Sequence, residues 1–421
     1  MSIRGIVSNT RDAIIIKEPV KVDLEVTRIL LQDQRRPVRF MNLNGHEAVG
    51  NLYSTRESVS TALGIEPQEL VTKLTRANSH PQPVNEVKNP EFNDKVLEEF
   101  DLTKLPIPKF YPRDGGRYIT AGVAMAEFEG KRNVSFHRLM LLDKNRFAIR
   151  LVPRHLYTMY KASLAKGKEL PVAFCVGLCP SVLLAAATST EYTQDELEIA
   201  SALKYECTGH PLDVAKLRSG IHVPASSEYV FEGKLTAESV DEGPFVDITG
   251  TYDDVRRQPV FKVERIYTRR NPIFQIVLPG GLEHYLLMGL PREPMIYRTV
   301  NQVIPRVHAV RLTEGGCCWL HGVVSITKNK EGDGINAIMA AFTGHPSMKM
   351  VTIVDEDVDI YDDRQVEWAV ATRFQAHRSL VVVNNAAGSS LDPSADVTTS
   401  KVGIDATKPL GEKGFELAKL D

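Results

Sequence analysis

From about residue 115 the chain alternates short apolar runs with turn residues: ITAGVAMAEFEG, RNVSFHRLMLLD and RFAIRLVP follow one another. Such runs, bounded by Gly, Asp and Asn, predict a succession of short strands. HLYTMYKASLAKG then has helical character, PVAFCVGL is a buried-type strand, and helices are expected from Ser181 to Leu203. Strands resume at HVPASSEYVFEGKL, FVDITGTYDD and PVFKVERIYTR. After about 295 the texture changes again: VHAVRLT, WLHGVVSITK, INAIMAAFTGH, MVTIVDED, RQVEWAVATRF and SLVVVNN alternate strand with helix. Alternation of that kind argues for an α/β layer domain. Before 115 the signals are mixed. RESVSTALGIEPQELVTKLTRA predicts two helices broken at Gly-Ile-Glu-Pro, and residues 79–94 form a long loop. The expected organisation is an N-terminal α/β region (1–114), a central β-rich, barrel-like domain with a helical insertion (115–295), and a C-terminal α/β domain (296–421) whose tail after Asn385 is loop-like.

Composition narrows the function classes. The 421 residues are 43% apolar and 25% charged, with a formal charge of -2, which argues against general nucleic-acid binding. The apolar run at the N-terminus, Ala13 to Ile16, is too short for a signal-peptide core, and the most apolar stretch, 170–187, is split by Pro180. Five cysteines without CxxC spacing suggest free thiols in a reducing cytoplasm. The acid-rich run VDEDVDIYDD (354–363) invites a calcium-loop reading, but Ile360 and Val366 stand where the template needs glycine and a bidentate glutamate. Asp362 and Gln365 instead make a capping pattern for the helix that follows.

Three segments could carry chemistry. Asn133, Ser135 and His137 share one face of a strand, with Arg138 on the other face unless a bulge re-aims it. Glu228 and Glu232 share a strand face, and Glu283 opens an apolar helix after two glycines. For each, a solvated strand face or a helix-start carboxylate is the plainer reading. Together they offer oxygen donors with an imidazole, suited to a hard divalent ion, and an arginine able to clamp a carboxylate. No dinucleotide fingerprint, P-loop or serine elbow is present.

The ordered set NVSFHR, PRH, GLCPSVLLAAA, VPASSEYVFEG, DEGPF, the acidic strand end, WAVATR and SKVGIDATK resembles the UbiD-like decarboxylases. That resemblance implies a central split β-barrel of the flavin-binding type. It also implies prenylated FMN as electron sink, Mn²⁺ (with K⁺ as a further ion), and supply of the cofactor by a flavin prenyltransferase. Carried over residue by residue, the metal ligands would be Asn133, His155 and Glu232. Arg138 would be the catalytic arginine and Glu283 the proton donor, while a second acid of the family's relay has no evident match. Ser135, Phe136, Pro224 and Lys401 join Asn133 and Arg138 as expected cofactor contacts. The resemblance implies a small carboxylic acid as substrate and a homo-oligomer, with no nucleic-acid or membrane partner. The chain's compactness favours the archaeal members that act on trans-anhydromevalonate 5-phosphate, with His137, Arg150 and Arg154 as candidate phosphate cations. A hydroxybenzoate-type quinone precursor is the alternative substrate. A catalytically silent scaffold subunit and a flavin-free metal hydrolase are the rival classes.

Overall fold

The computed structural model describes residues 2–415 and is mixed α/β. The chain divides into two compact units, Met1–Leu287 and Met288–Asp421.

The first unit is built on a nine-stranded sheet. Its path runs Tyr118–Ile119, Leu139–Leu141, Arg146–Ile149, Arg256–Thr268, Tyr229–Glu242, Leu170–Val176, Val123–Phe128 and Lys131–Phe136, with Lys95–Leu97 paired to the side of Arg256–Thr268. Among the described residues no pairing joins the two ends of this path. The long strands Tyr229–Glu242 and Arg256–Thr268 pair antiparallel along nearly their whole length, so Glu242 lies opposite Arg256 at their far end. The β-branched and aromatic residues of these strands turn inward. Phe147 against Phe231 and Phe174 against Phe261 make edge-on ring pairs in a fully buried core. A smaller sheet of Ile14–Ile16, Val38–Leu43, His46–Gly50 and Ile273–Ile276 carries the N-terminal region.

The strand beginning at Lys131 stops at Phe136, and pairing resumes only at Leu139. The His137–Arg138 step therefore escapes strict alternation, and Arg138 is re-aimed as a local irregularity allows. The expected helical stretch Ser181–Leu203 is two helices, Pro180–Ala186 and Glu196–Thr208, separated by a loop. That break puts Glu196 in the first turn of a helix, capped by Asp195.

The second unit is a five-stranded sheet in the order Val307–Leu312, His321–Ile326, Met350–Asp355, Thr399–Ala406, Leu380–Ala386. The expected loop after Asn385 holds one of its inner strands, Thr399–Ala406, parallel to Met350–Asp355. Its charged Lys401 and Asp405 and its Gly403 hide the strand pattern. The glycine is required by packing, because a Cβ there would lie 2.2 Å from Ile338 Cγ2.

The run VDEDVDIYDD is a strand-to-helix junction. Asp362 caps the helix Asp363–Arg373 by accepting from the Arg364 N–H (2.9 Å). Asp355 and Asp357 both bind the buried Arg373, and Lys408 adds a contact to Asp357. These carboxylates are satisfied by cations of their own fold, as buried charges must be.

Candidate active site

Arg138 is the centre of a buried charge cluster. Its Nε and Nη2 donate to the two oxygens of Glu242 (2.9 and 3.0 Å), Nη1 donates to Asp247 (2.8 Å) and Nη2 also to Asp253 (3.0 Å). The paired bond to Glu242 is the fork geometry that makes arginine–carboxylate contacts strong and directional. The arginine side chain is 8% exposed and Glu242 fully buried, whereas Asp247 is 20% exposed. Burial works against the guanidinium charge, but Glu242, Asp247 and Asp253 together raise the Arg138 pKa. Asp253 is held below the usual carboxylate range despite its burial, by Arg138, Arg256 and Arg150.

The hairpin Phe245–Val246/Tyr252–Asp253 delivers Asp247 and Asp253, while the end of Tyr229–Glu242 delivers Glu242. Gly243 (φ 99°) turns the chain between them, and Gly115 lets it pass: a Cβ at Gly115 would sit 2.1 Å from the Gly243 carbonyl oxygen. The ring of Phe245 stacks under the Arg138 guanidinium at 4.6 Å. His284 also faces this cluster. Its Nδ1 accepts from the Gly280 N–H (3.2 Å), which leaves the ring proton on Nε2. Burial lowers its pKa, with Asp247 opposing and Arg138 adding to the shift.

A second cluster lies on the strand just before Arg138. Glu196 accepts from Asn133 Nδ2 (3.2 Å), the Val134 N–H (2.9 Å) and Thr190 Oγ (2.9 Å), and lies 3.8 Å from His155 Nδ1. Ser135 bridges Asn133 Oδ1 and His137 Nε2, each at 3.0 Å. His155 is the first residue of the helix His155–Ala165, its ring edge-on to Tyr192. Next to Glu196, Asp195 is paired with Arg132. An amide oxygen, an imidazole and a buried carboxylate form a hard donor set, and it fits a divalent ion such as Mn²⁺.

Glu232, expected beside Asn133 and His155, is engaged elsewhere. Its oxygens accept from the Ser219 N–H (2.7 Å), Arg265 (2.7 Å) and Tyr267 (2.9 Å). Burial would raise its pKa, but these donors hold it below the usual value. Among the described residues no ion pair joins it to His155; Glu196 takes that place. Glu228 is likewise committed, to Arg4 through two 2.8 Å bonds and to the Ile273 N–H. Lys401 donates to the carbonyls of Pro346 and Met348, within the second unit. Pro224 is buried and its carbonyl accepts from Ser227 (2.7 Å), while Phe136 is half-buried at the end of the Asn133 strand.

Glu283 does not join the Arg138 cluster by any hydrogen bond or ion pair among the described residues. Its Oε1 accepts from the Tyr53 N–H (3.0 Å), inside the turn that follows Asn51 (φ 56°), and its Oε2 has no partner. Burial raises its pKa from 4.5 to about 8 against the backbone N–H groups of Tyr53, Asn51 and Leu52. The unfolded carboxyl ionises first, so the folded protein holds the extra proton between these two values. Stability therefore falls as pH rises through that window. Glu283→Gln removes the titration. Between pH 5 and 8 its thermal midpoint should rise relative to that of the unsubstituted protein, and at pH 7 the variant should be the more stable of the two by an amount on the order of 3 kcal/mol. Parallel midpoint curves for the two proteins would exclude this.

An arginine ringed by carboxylates thus stands two residues beyond a strand that carries a cluster of oxygen and imidazole donors. Models of the 3-octaprenyl-4-hydroxybenzoate carboxy-lyase match nearly the whole chain: the N-terminal domain over residues 6–77, the Rift-related domain over 83–282 and the C-terminal domain over 285–406. The chain belongs to the UbiD family of carboxy-lyases. It is 46% identical to the anhydromevalonate phosphate decarboxylase of Methanosarcina mazei over 96% of this chain and 94% of that protein. It is 43% identical to the enzyme of the same name from Methanocaldococcus jannaschii, over 99% of both chains. Among solved structures, the UbiD-class enzyme HmfF of Pelotomaculum thermopropionicum in complex with FMN superposes with a TM-score of 0.96, at 36% identity, covering 100% of this chain and 97% of that one. An evolved dimeric form of HmfF in complex with prenylated FMN gives 0.91, at 34% identity, over 99% and 97% of the two chains.

Sequence reasoning missed three residues: Glu242, Asp247 and Glu196. The first signal was present, since DEGPF was among the motifs carrying the resemblance. Glu242 and Asp247 stand five positions apart around it, as Asn133 and Arg138 do around SFH. Glu196 had no signal beyond a helix-start acid.

Proposed function

We propose that this chain is a non-oxidative decarboxylase of an α,β-unsaturated acid, with trans-anhydromevalonate 5-phosphate as its substrate. The observation that carries the chemistry is Arg138 held among Glu242, Asp247 and Asp253. The similarity to the archaeal anhydromevalonate phosphate decarboxylases supports the choice of substrate.

Arg138 receives the substrate carboxylate. Of its five N–H groups, four point at protein carboxylates, so the guanidinium is fixed in plane before substrate arrives. Glu242, fully buried, sets its orientation. Asp247, the more exposed of these two acids, takes up a proton from solvent and passes it to the carbon that has lost CO₂, returning to the carboxylate form. Bound prenylated FMN supplies the electron sink for that carbon. The open nine-stranded sheet is the split barrel that would hold it. Asn133, His155 and Glu196 would hold the Mn²⁺ that neutralises the cofactor's phosphate. Among the candidate phosphate cations, His137 is the weakest, because burial pushes its pKa down to about 4 and leaves it neutral. Arg150, 3.5 Å from Asp253, and Arg154, hydrogen-bonded to Ser189, offer guanidinium groups suited to phosphate and are the better candidates.

The reading also includes a homo-oligomer and dependence on a flavin prenyltransferase. No helix among the described residues is long and apolar enough to cross a membrane. Anaerobic incubation of flavin-loaded protein with trans-anhydromevalonate 5-phosphate should release CO₂. Protein from cells lacking the prenyltransferase should release none. Release from 4-hydroxybenzoate but not from the phosphorylated acid would transfer the enzyme to quinone precursors.

A further inference from the structure

Tyr118 is fully buried at the edge of the Arg138 cluster and has no place in the chemistry described so far. Its ring packs on Phe245 at a centroid distance of 4.4 Å, and Phe245 in turn supports the Arg138 guanidinium. Its hydroxyl makes no regular hydrogen bond among the described residues, although it faces the Glu242 carboxylate. A buried hydroxyl without a partner is costly, and each such group in a native protein calls for an account of what satisfies it.

The partner is already adjacent. Both Glu242 oxygens are occupied by Arg138 in this structure. When Arg138 turns part of its fork to a substrate carboxylate, Glu242 loses one of those bonds while still fully buried. A buried carboxylate oxygen left without a donor there would pull the arginine back. We propose that Tyr118 is a positioning residue that donates its hydroxyl hydrogen to Glu242 when Arg138 engages the substrate, so that the buried carboxylate keeps a donor on each oxygen and the guanidinium stays aligned.

Burial raises the Tyr118 pKa, and the neighbouring Glu242 charge raises it further while Arg138 lowers it. The phenol therefore keeps its proton and, facing a carboxylate, is the donor of the pair. The other charged groups facing this corner are Asp114, toward the tyrosine, and Asp247, Asp253, Arg150 and His284, toward Arg138 and Glu242. These groups are charged or, like His284, lie against Asp247 and Arg138, whereas Tyr118 brings a neutral hydroxyl to Glu242.

This inference rests on the assignment of Arg138 as the carboxylate clamp. Tyr118→Phe keeps the ring on Phe245 and removes only the hydroxyl. Its kcat should fall about tenfold, with KM and flavin occupancy unchanged, as expected for one lost bond to a charged group. An unchanged kcat, or a lower thermal midpoint as the only effect, overturns the proposal. A crystal structure with crotonate bound, as a simple unsaturated carboxylate, supplies a readout independent of turnover. Tyr118 should then lie within hydrogen-bond distance of Glu242. If Glu242 remains on both Arg138 nitrogens and the tyrosine remains unpaired, the proposal fails. Should the unsubstituted enzyme turn over no acid at all, the decarboxylase reading falls, and the crotonate structure decides the role of Tyr118 alone.

Discussion

Asp247→Asn should reduce CO₂ release about 1000-fold in protein that keeps its full complement of flavin. The substitution preserves shape and one hydrogen bond to Arg138, so the clamp on the substrate carboxylate survives and KM should move little. What is lost is the proton that the carbon needs after CO₂ departs. Comparison with Glu283→Gln makes the test sharp. Glu283 is the proton donor that the family resemblance implies, although its place at the start of an apolar helix has a plainer structural reading. In the structure its carboxyl holds the turn at Tyr53, so its glutamine variant should retain turnover. If Glu283→Gln abolishes CO₂ release and Asp247→Asn does not, the proton donor has been misassigned. Flavin absorbance, measured on the same samples, separates lost chemistry from lost cofactor.

Glu196→Ala should lose bound metal and flavin together, while Glu232→Ala keeps both. Glu196 is buried among Asn133, Thr190 and the Val134 N–H, with His155 at 3.8 Å. Removing it takes the only carboxylate from that donor set, and the ion with it. Without the ion, the cofactor's phosphate would lose its main counter-charge. Glu232→Ala instead leaves Arg265 and the buried Tyr267 hydroxyl without their acceptor. That should cost about 2 kcal/mol of stability and leave metal content unchanged. Elemental analysis and the visible spectrum of the two purified variants decide the matter. Metal lost from Glu232→Ala and retained by Glu196→Ala would restore the sequence-based ligand set.

Much of the architecture was legible because it depends on local periodicity. The buried strand PVAFCVGL, the alternating C-terminal elements and the capped helix after Asp362 all follow from spacing over a few residues. The Thr399–Ala406 strand was not legible. Its charged residues and glycine are satisfied by partners elsewhere in the chain, such as the carbonyls that hold Lys401. The same limit applies to the site. Asn133, His155 and Arg138 were picked out by motif, but their carboxylate partners lie far along the chain: Glu242 is 104 residues from Arg138 and Glu196 is 63 from Asn133.

The sequence by itself determined the family, the strand that carries Asn133 and leads to Arg138, and the chemical types the site must contain. Only the tertiary structure decided which carboxylates meet them. Glu228, Glu232, Glu242 and Glu196 are all buried acids, and the linear pattern singles out only the first two. Each is sorted by the donors that the fold brings within about 3 Å, because a buried carboxylate stays charged only where such partners converge. For Glu232 those donors are Arg265 and Tyr267, and for Glu242 they are the two nitrogens of Arg138.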